Sequence, residues 1–450
     1  MINEVVTRLK NNDIQIPLWL GQLISNIPYS VRPIVGKYYR IRREELRRYK
    51  SYSIGERQMF IFNRMYKIVK YSLEYISFYK KFYADQGFSL DCLKSFEDID
   101  KIPIINKKIL LQYSLDERSN DKESRFIVNT GGSSGQTFSF YVQPSSIGNE
   151  WAHIHDMWSK IGFHPSDLKL YITGRSKVRN GVDYEFARHT LSVDMYQAFE
   201  KIAPKLKEFL KKTPCYYLHG YPSVLSEFAA YCRSDIELLR LLKGQLKGAF
   251  LSSEYPYPIY RDMIEKVFDI PSQSFYGHTE RCVMAYETSE KFKYKPFQTY
   301  GLAEAVKNEE GHYDLIGTSY YNQASPLIRY NTQDIIDNPT YEGGIMTSFD
   351  IFEGRSGQFI LDNSGRKISL TGLVMGRHHK LFDYCSHIQI SQKEKGKATI
   401  YYVLKDKDEN IEPYSLFDNS NVDIVFSFHS LAEPIRTISG KVNLLVSSRT

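Results

Sequence analysis

Between residues 165 and 280 short apolar runs and helical patterns take turns, and this alternation limits the fold more than any other feature of the chain. "LKLYITG" reads as a strand. "YYLHGYPSVLSEFAAYCRS" carries a second short strand into a helix, with Pro222 and Ser223 at its entrance. "LKGAFLSSE" supplies a third strand, the helical "YPIYRDMIEKVF" follows, and "SQSFYGHTE" closes the unit. Just upstream, "NEWAHIHDMWSKIGFHPSD" has the pattern of a helix ending near Gly162. Strands and helices in this order predict an α/β fold, a mixed sheet covered by helices, with ligand sites in the polar turns between elements.

The flanks differ. The first hundred residues read mainly as helices, as in "GERQMFIFNRMYKIVKYSLEYISFYKKFYADQG", whereas about 300 to 350 holds short strands and polar turns. From 356 onward "KATIYYVLKD", "VDIVFSF" and "KVNLLVS" are strand candidates. At 450 residues the chain exceeds the size at which one core stops growing. The expected organisation is a large domain over 1–353 with a helical lead-in over about 1–100, a boundary at Gly354 to Gly357, and a small domain over 358–450. With 42% hydrophobic and 25% charged residues, wholesale disorder is excluded. The 35 tyrosines show no repeat period.

The net charge of +7 owes much to "YYRIRREELRRYKSYS". That run suits an exposed helix face with glutamates interspersed, and also contact with nucleic acid or an anionic membrane surface. No aromatic and basic stripe continues through the chain, so no nucleic-acid partner is expected. "IPLWLGQLISNIPYSVRPIVG" is broken by polar residues and prolines, which argues against an integral membrane segment, and the start lacks the pattern of a secretory signal. The expectation is a cytoplasmic protein. Cys92, Cys215, Cys232, Cys282 and Cys385 form no ligand-like spacing, so neither a disulfide framework nor a zinc site follows. His153 and His155, two apart on a helix, diverge in direction and do not suggest a shared metal.

Three clusters carry chemistry. In "VNTGGSSGQT", residues 128 to 137, backbone amides and the hydroxyls of Thr130, Ser133 and Ser134 can surround phosphate oxygens, although Gln136 stands where a P-loop has lysine; a polar hairpin explains the stretch as well. In "FYGHTE", residues 275 to 280, Tyr276 can stack on a base and Glu280 can ligate magnesium, or the pair can be a core ring and a helix cap. "PLIRYNTQD" adds Asp334, able to accept from two ribose hydroxyls, and Arg329, which either meets phosphate or pins its strand.

In their order and spacing these pieces resemble the adenylate-forming enzymes, in the branch of phenylacetate-CoA ligases and the CapK-like proteins of polysaccharide gene clusters. The likeness covers nearly the whole chain. It runs through "YSLEYISFYKKFY" and "IPIINKKIL", the loop of Thr130, Gly131, Gly132, Ser133, Ser134 and Gly135, "FLSSEYPYPIYRDMIE", "YGHTE", and "RTISGK" near the end. The resemblance implies a large mixed α/β adenylate-forming domain followed by a small mobile α+β domain. It implies ATP contacts from the loop, from Ser253 and Glu254 beside the adenine, from Tyr276, Gly277 and Thr279, and from Asp334 at the ribose. Glu280 becomes the Mg2+ ligand, Lys441 the lysine assisting adenylation, and Arg355 the anchor of a hinge at 354–357. After Arg355 the chain has "SGQFI" where many relatives carry acidic residues.

The implied reaction joins a small carboxylic acid to ATP as an acyl-adenylate, releases pyrophosphate, and passes the acyl group to an amine, sugar or thiol acceptor. The setting implied is cell-surface polysaccharide synthesis, with peripheral contact to a biosynthetic complex. An aryl- or acyl-CoA ligase using CoA and a catalytically inactive nucleotide-binding scaffold are the alternatives.

Overall fold

The computed structural model of the chain describes residues 8, 14–33, 35–130, 137–174, 178–309, 311–352, 359–375, 377, 379–406, 409–435 and 443–446. The chain divides into two compact units, one of residues 1–128, 140–167 and 273–354, the other of residues 129–139, 168–272 and 355–450.

The first unit opens with helices α1 (Leu18–Ser25), α2 (Gly36–Ser51), α3 (Ile54–Tyr75) and α4 (Ser77–Asp85). A capping box starts α3: the Ser53 hydroxyl accepts from the Glu56 amide at 3.4 Å, and the Glu56 carboxylate accepts from the Ser53 amide at 2.7 Å. Helical spacing then buries Ile61, Met65, Ile68, Val69 and Ser72 on one face. A short α5 (Lys107–Leu110) follows, capped by Asn106, which accepts from the Ile109 amide at 2.9 Å. Strands β1 (Phe126–Thr130) and β2 (Phe138–Val142) pair, as the two strands that the sequence predicts; the glycine-rich stretch between them, 131–136, lies outside the described residues.

Helix α6 (Ser145–Trp158) runs into a 3-10 turn and stops at Gly162, whose φ of 85° needs glycine. It packs on α2 so closely that a side chain at Gly148 would meet the Val35 carbonyl at 2.6 Å. The basic run lies on α2, where carboxylates take up much of its charge. Arg43 and Lys50 reach Asp156 at 3.2 and 2.9 Å, and Arg47 and Arg48 both hold Glu44 at 2.7 Å.

In the second unit β3 (Lys169–Thr173), β4 (Val182–Glu185), β5 (Thr190–Asp194), β6 (Tyr217–Gly220) and β7 (Gly248–Leu251) pair in the order β7-β6-β3-β5-β4. The sheet is parallel except at β4, which runs antiparallel to β5. Between the strands lie α7 (Phe199–Lys212), α8 (Pro222–Cys232), α9 (Ile236–Lys243) and α10 (Pro258–Phe268). Pro222 and Pro258 sit at the first turns of α8 and α10, where a missing amide hydrogen is harmless.

The chain then builds the first unit's sheet from β8 (Ser272–Gly277), β9 (Met284–Glu287), β10 (Lys293–Pro296), β11 (Gly301–Lys307), β12 (Tyr313–Ser319), β13 (Tyr330–Glu342) and β14 (Ile345–Ile351). These are antiparallel in the order β11-β12-β13-β14-β10-β9-β8. In the C-terminal region β15 (Phe359–Leu361) pairs with β16 (Lys367–Ser369), and β17 (Cys385–Glu394), β18 (Lys397–Leu404) and β19 (Val425–Ser430) form a separate small sheet. "KVNLLVS" contributes a single bridge, Leu445 to Ile390, among the described residues. The fold is mixed α/β, with a large sheet carrying helices and a small sheet near the C-terminus. The boundary at 354–357 lies outside the described residues. Among those described, no helix is long and apolar enough to cross a membrane.

Candidate functional site

The "YGHTE" motif occupies the turn that joins β8 to β9. The Arg281 amide donates to the His278 carbonyl at 3.1 Å, and Arg281 takes a φ of 59° to close the turn. Its guanidinium then reaches Ser146 at 2.6 Å and Glu150 at 3.1 Å on α6. Beneath the turn two glycines make room. A side chain at Gly301 would meet the Cys282 carbonyl at 2.2 Å, and one at Gly317 would meet the Cys282 side chain at 2.7 Å. Thus α6 and the paired strands β11 and β12 fix the turn in place.

Within it, His278 Nδ1 lies 3.3 Å from Glu280 Oε2, and the Val283 amide donates to His278 Nε2 at 3.1 Å. A ring nitrogen that accepts from a backbone amide carries no proton, so the proton sits on Nδ1 and points to the glutamate. The Glu280 side chain is 14% exposed and that of His278 5%. Burial pushes the Glu280 carboxyl up, but the hydrogen bond from His278, helped by its own backbone amide and the charge of Lys107, brings it below its ordinary value. The result is a largely buried carboxylate that stays ionised, bonded to His278 through Oε2 and to its own backbone amide.

Nearby, the Tyr276 hydroxyl donates to Asp334 Oδ2 at 2.5 Å, tying the end of β8 to β13, and the Tyr276 ring sits edge-on to Phe349 at 6.0 Å. The Asp334 amide donates to the Thr332 hydroxyl at 3.2 Å, after a left-handed Gln333 with φ 64°. Gly277 and Thr279 are exposed beside this pair. Arg329 pins its strand: it is 5% exposed and bonds Glu304 at 3.1 Å and the Ile102 carbonyl at 2.8 Å, with the Asp100 carbonyl at 2.5 Å. The first unit therefore brings together Tyr276, Gly277, Thr279, Glu280 and Asp334, and adds two residues the motif reading did not single out, His278 and Lys107. His278 stands inside the motif; Lys107 stands in "IPIINKKIL" and is 4% exposed, an unusual burial for lysine.

His153 and His155 belong to packing. His153 Nδ1 meets the Asn149 carbonyl at 2.7 Å and Nε2 meets the Thr299 hydroxyl at 3.0 Å, while His155 Nδ1 meets the Tyr39 hydroxyl at 3.2 Å.

In the second unit Thr130 ends β1, 8% exposed. The stem of its hairpin is held by Asn129, which donates to Asp383 at 2.5 Å, and by the Thr137 hydroxyl bonded to the Cys385 carbonyl. Ser253 is exposed, with a left-handed φ of 67°. Glu254 is 8% exposed; it accepts from the Ser223 hydroxyl at 2.7 Å, the Ser223 amide at 3.3 Å and the Ser369 hydroxyl at 3.3 Å. Ser223 lies in the first turn of α8, so this carboxylate caps a helix N-terminus. Gly131, Gly132, Ser133, Ser134, Gly135, Arg355 and Lys441 lie outside the described residues.

The fold is that of the adenylate-forming ligases. The structure of 2-hydroxyisobutyryl-CoA ligase with 2-HIB-AMP and CoA in the thioesterification state matches with a TM-score of 0.52 at 15% identity, over 88% of this chain and 90% of the ligase. The postadenylation state with 2-HIB-AMP gives 0.50 at 16% identity over the same shares. In sequence the chain is similar to the protein CapK of Staphylococcus aureus, 25% identical over 249 residues. That match spans 53% of this chain and 54% of CapK, about half the length of each. No family profile matches the chain.

Proposed function

We propose that the protein uses ATP to activate a carboxylic acid as an acyl-adenylate and then transfers the acyl group to an acceptor. The observation that carries this reading is the Glu280 carboxylate, kept ionised in a largely buried turn beside the Tyr276–Asp334 pair. Magnesium in nucleotide sites is ordinarily held by one or two carboxylates together with substrate phosphates. Glu280 fits that use. His278 engages Oε2 and orients the carboxylate, which would hold the ion together with the substrate phosphates. The ion supplies charge neutralisation between two anions that repel, the acid and the triphosphate.

The chain's own residues then divide the work. The carboxylate oxygen of the acid attacks the α-phosphorus, the bond from that phosphorus to the α,β-bridging oxygen breaks, and pyrophosphate leaves with that oxygen. Asp334 orients the ribose. Thr130 and the loop of Gly131, Gly132, Ser133, Ser134 and Gly135 gather the phosphates. Tyr276, Gly277 and Thr279 line the nucleotide, Ser253 and the backbone at Glu254 flank its base, and Lys441 opposes the charge that builds at the α-phosphate. Arg355 anchors a hinge through which the segment 358–450 exchanges roles between the two half-reactions. The acceptor is an amine, a sugar or a thiol such as CoA, and the CapK likeness favours a step in cell-surface polysaccharide synthesis.

Pyrophosphate release with ATP, Mg2+ and a panel of aryl acids, amino acids and uronic acids tests the reading. One acid class should raise release well above the rate without acid. Equal background with every acid, alongside demonstrated ATP binding, makes the protein a nucleotide-binding scaffold instead.

A further inference from the structure

Helix α1 turns part of its apolar surface outward. Its buried residues are Gly21 and Ser25, while Trp19 and Leu23 on the opposite side are 63% and 62% exposed. Ile27 and Val31, which follow in the connection to α2, are 45% and 65% exposed. A helix that covers a core turns its large apolar residues inward, because burying them removes apolar surface from water. Here Leu18, Leu20 and Ile24 are half-buried while Trp19 and Leu23 face outward.

The segment is held firmly. Tyr29 packs against Tyr39 at 5.2 Å and edge-on to His155 at 4.6 Å. The Arg32 guanidinium stacks 4.0 Å above the Tyr29 ring and donates to the Ile27 carbonyl at 3.0 Å and the Ser25 carbonyl at 2.9 Å. Neither rotation of α1 nor a loose tail explains the exposed side chains.

Directly beside Val31, Ser30 lines an open groove of about 490 Å³ whose wall is α2. Arg40, Arg43, Arg47 and Lys50 project into it at three- and four-residue steps along one helix face, against the carboxylates of Glu44 and Asp156. Four cations against two carboxylates leave the groove positive, and the side chains of Arg47 and Lys50 are 73% and 60% exposed. An apolar surface with tryptophan at its edge, bordering a basic groove, matches the layered chemistry of a bilayer surface, where acyl chains lie beneath anionic headgroups. Nucleic acid answers the cations and leaves the apolar residues in water.

We propose that α1, the 26–31 connection and the α2 groove form a peripheral docking surface for an anionic lipid bilayer. Trp19, Leu23, Ile27 and Val31 enter the headgroup boundary, and the α2 cations hold lipid phosphates. An enzyme so docked hands its product to an acceptor at the membrane face without a spanning helix.

Sedimentation of the full chain with vesicles tests the surface, comparing equimolar phosphatidylcholine and phosphatidylglycerol with phosphatidylcholine alone. Binding should require the anionic lipid, weaken with added salt, and shift the emission of Trp19 to the blue. Arg40→Gln with Arg47→Gln should lower partitioning by about fivefold per cation. Trp19→Ser with Leu23→Ser should lower it by at least about tenfold and abolish the emission shift, with melting temperature and pyrophosphate release unchanged. The proposal is overturned if the folded protein ignores anionic vesicles or binds neutral ones equally. It is equally overturned if partitioning survives both double variants, if the apolar pair instead holds two copies of the chain together in solution, or if the cations serve nucleic acid.

Discussion

Glu254 and Glu280 stand at comparable places, each just after a strand, in β7 and β8 respectively, and each in a motif that points to nucleotide. Their surroundings differ. Glu254 accepts three hydrogen bonds, from the Ser223 amide and from the hydroxyls of Ser223 and Ser369, and both of its oxygens are engaged. Glu280 accepts one side-chain bond, from His278, at one oxygen. The first is spent within its unit on capping α8; the second is oriented and ionised. Position in a motif nominates a carboxylate, and the count of partners on its oxygens separates a structural role from a chemical one.

Breaking the chemical member should give the largest effect. Glu280→Gln keeps the shape and the His278 bond but removes the charge, and should lower Mg2+-dependent pyrophosphate release by about 10²–10³-fold. Melting should change little. A fall in activity matched by a fall in folded fraction would put Glu280 in the same class as Glu254.

A group with all its partners inside the fold should report through stability, and His153 extends the comparison to pH. It is fully buried with both ring nitrogens engaged, and burial pushes its pKa from 6.5 down to about 4. Between those values the unfolded chain binds the proton and the folded one does not. Its contribution, about 3 kcal/mol, is therefore present above pH 6.5 and lost as pH falls toward 4. The Glu280 contribution, with its pKa lowered from 4.5, is whole above that ordinary value and is lost below it, as pH falls through the folded value. Melting temperature against pH should flatten between 6.5 and 4 in His153→Gln; an unchanged slope assigns the acid sensitivity elsewhere.

The same distinction explains how much of the molecule can be read from sequence. The strands β3, β6 and β7 and the helices α8 and α10 are legible because β-branched and aromatic runs meet proline-marked helix starts at Pro222 and Pro258. Strands β4 and β5 are not, since polar residues alternate with the apolar ones at their buried positions and find partners nearby: Glu185 pairs with Arg188 and accepts from Ser192 at 3.4 Å, and Asp194 accepts from the Tyr196 amide at 2.9 Å. Such a segment looks like a loop until its partners are known. Helix α1 hides in the opposite way: its segment reads only as an apolar run too broken to span a membrane, and the outward turn of Trp19 and Leu23 is not legible in it. At the site, residue types in order suffice to nominate Glu280, Tyr276 and Asp334, but the proton position on His278 depends on the Val283 amide and the commitment of Glu254 depends on Ser369, 115 residues away.

Breaking the structural member should cost less, and in another observable. Glu254→Ala leaves the Ser223 amide and two hydroxyls without their acceptor at the start of α8, which should destabilise by about 1–3 kcal/mol. Thermal melting should show the loss, while pyrophosphate release per folded molecule stays within about twofold of the parent, a difference of about 0.4 kcal/mol. A large activity defect at unchanged melting would return Glu254 to the nucleotide.

The smallest effect tests the Tyr276–Asp334 pair, which sits between the two cases: Asp334 has one oxygen bound by the Tyr276 hydroxyl at 2.5 Å, and the proposed function gives the other to a ribose. Tyr276→Phe removes the donor and keeps the ring. If the bond aims Asp334, its loss costs about 0.5–1.5 kcal/mol of nucleotide binding, a rise of about 2- to 12-fold in KM for ATP, with kcat and melting near the parent values. Tyr276→Ala removes the ring as well and should raise KM further by the stacking it abolishes. A drop in melting temperature for Tyr276→Phe with KM unchanged would mean that the bond braces β8 to β13 and nothing more, which places Asp334 with Glu254 among the committed carboxylates. Equal KM values for the Phe and Ala variants would remove the ring from nucleotide contact and leave the hydroxyl as the part of Tyr276 that the site uses.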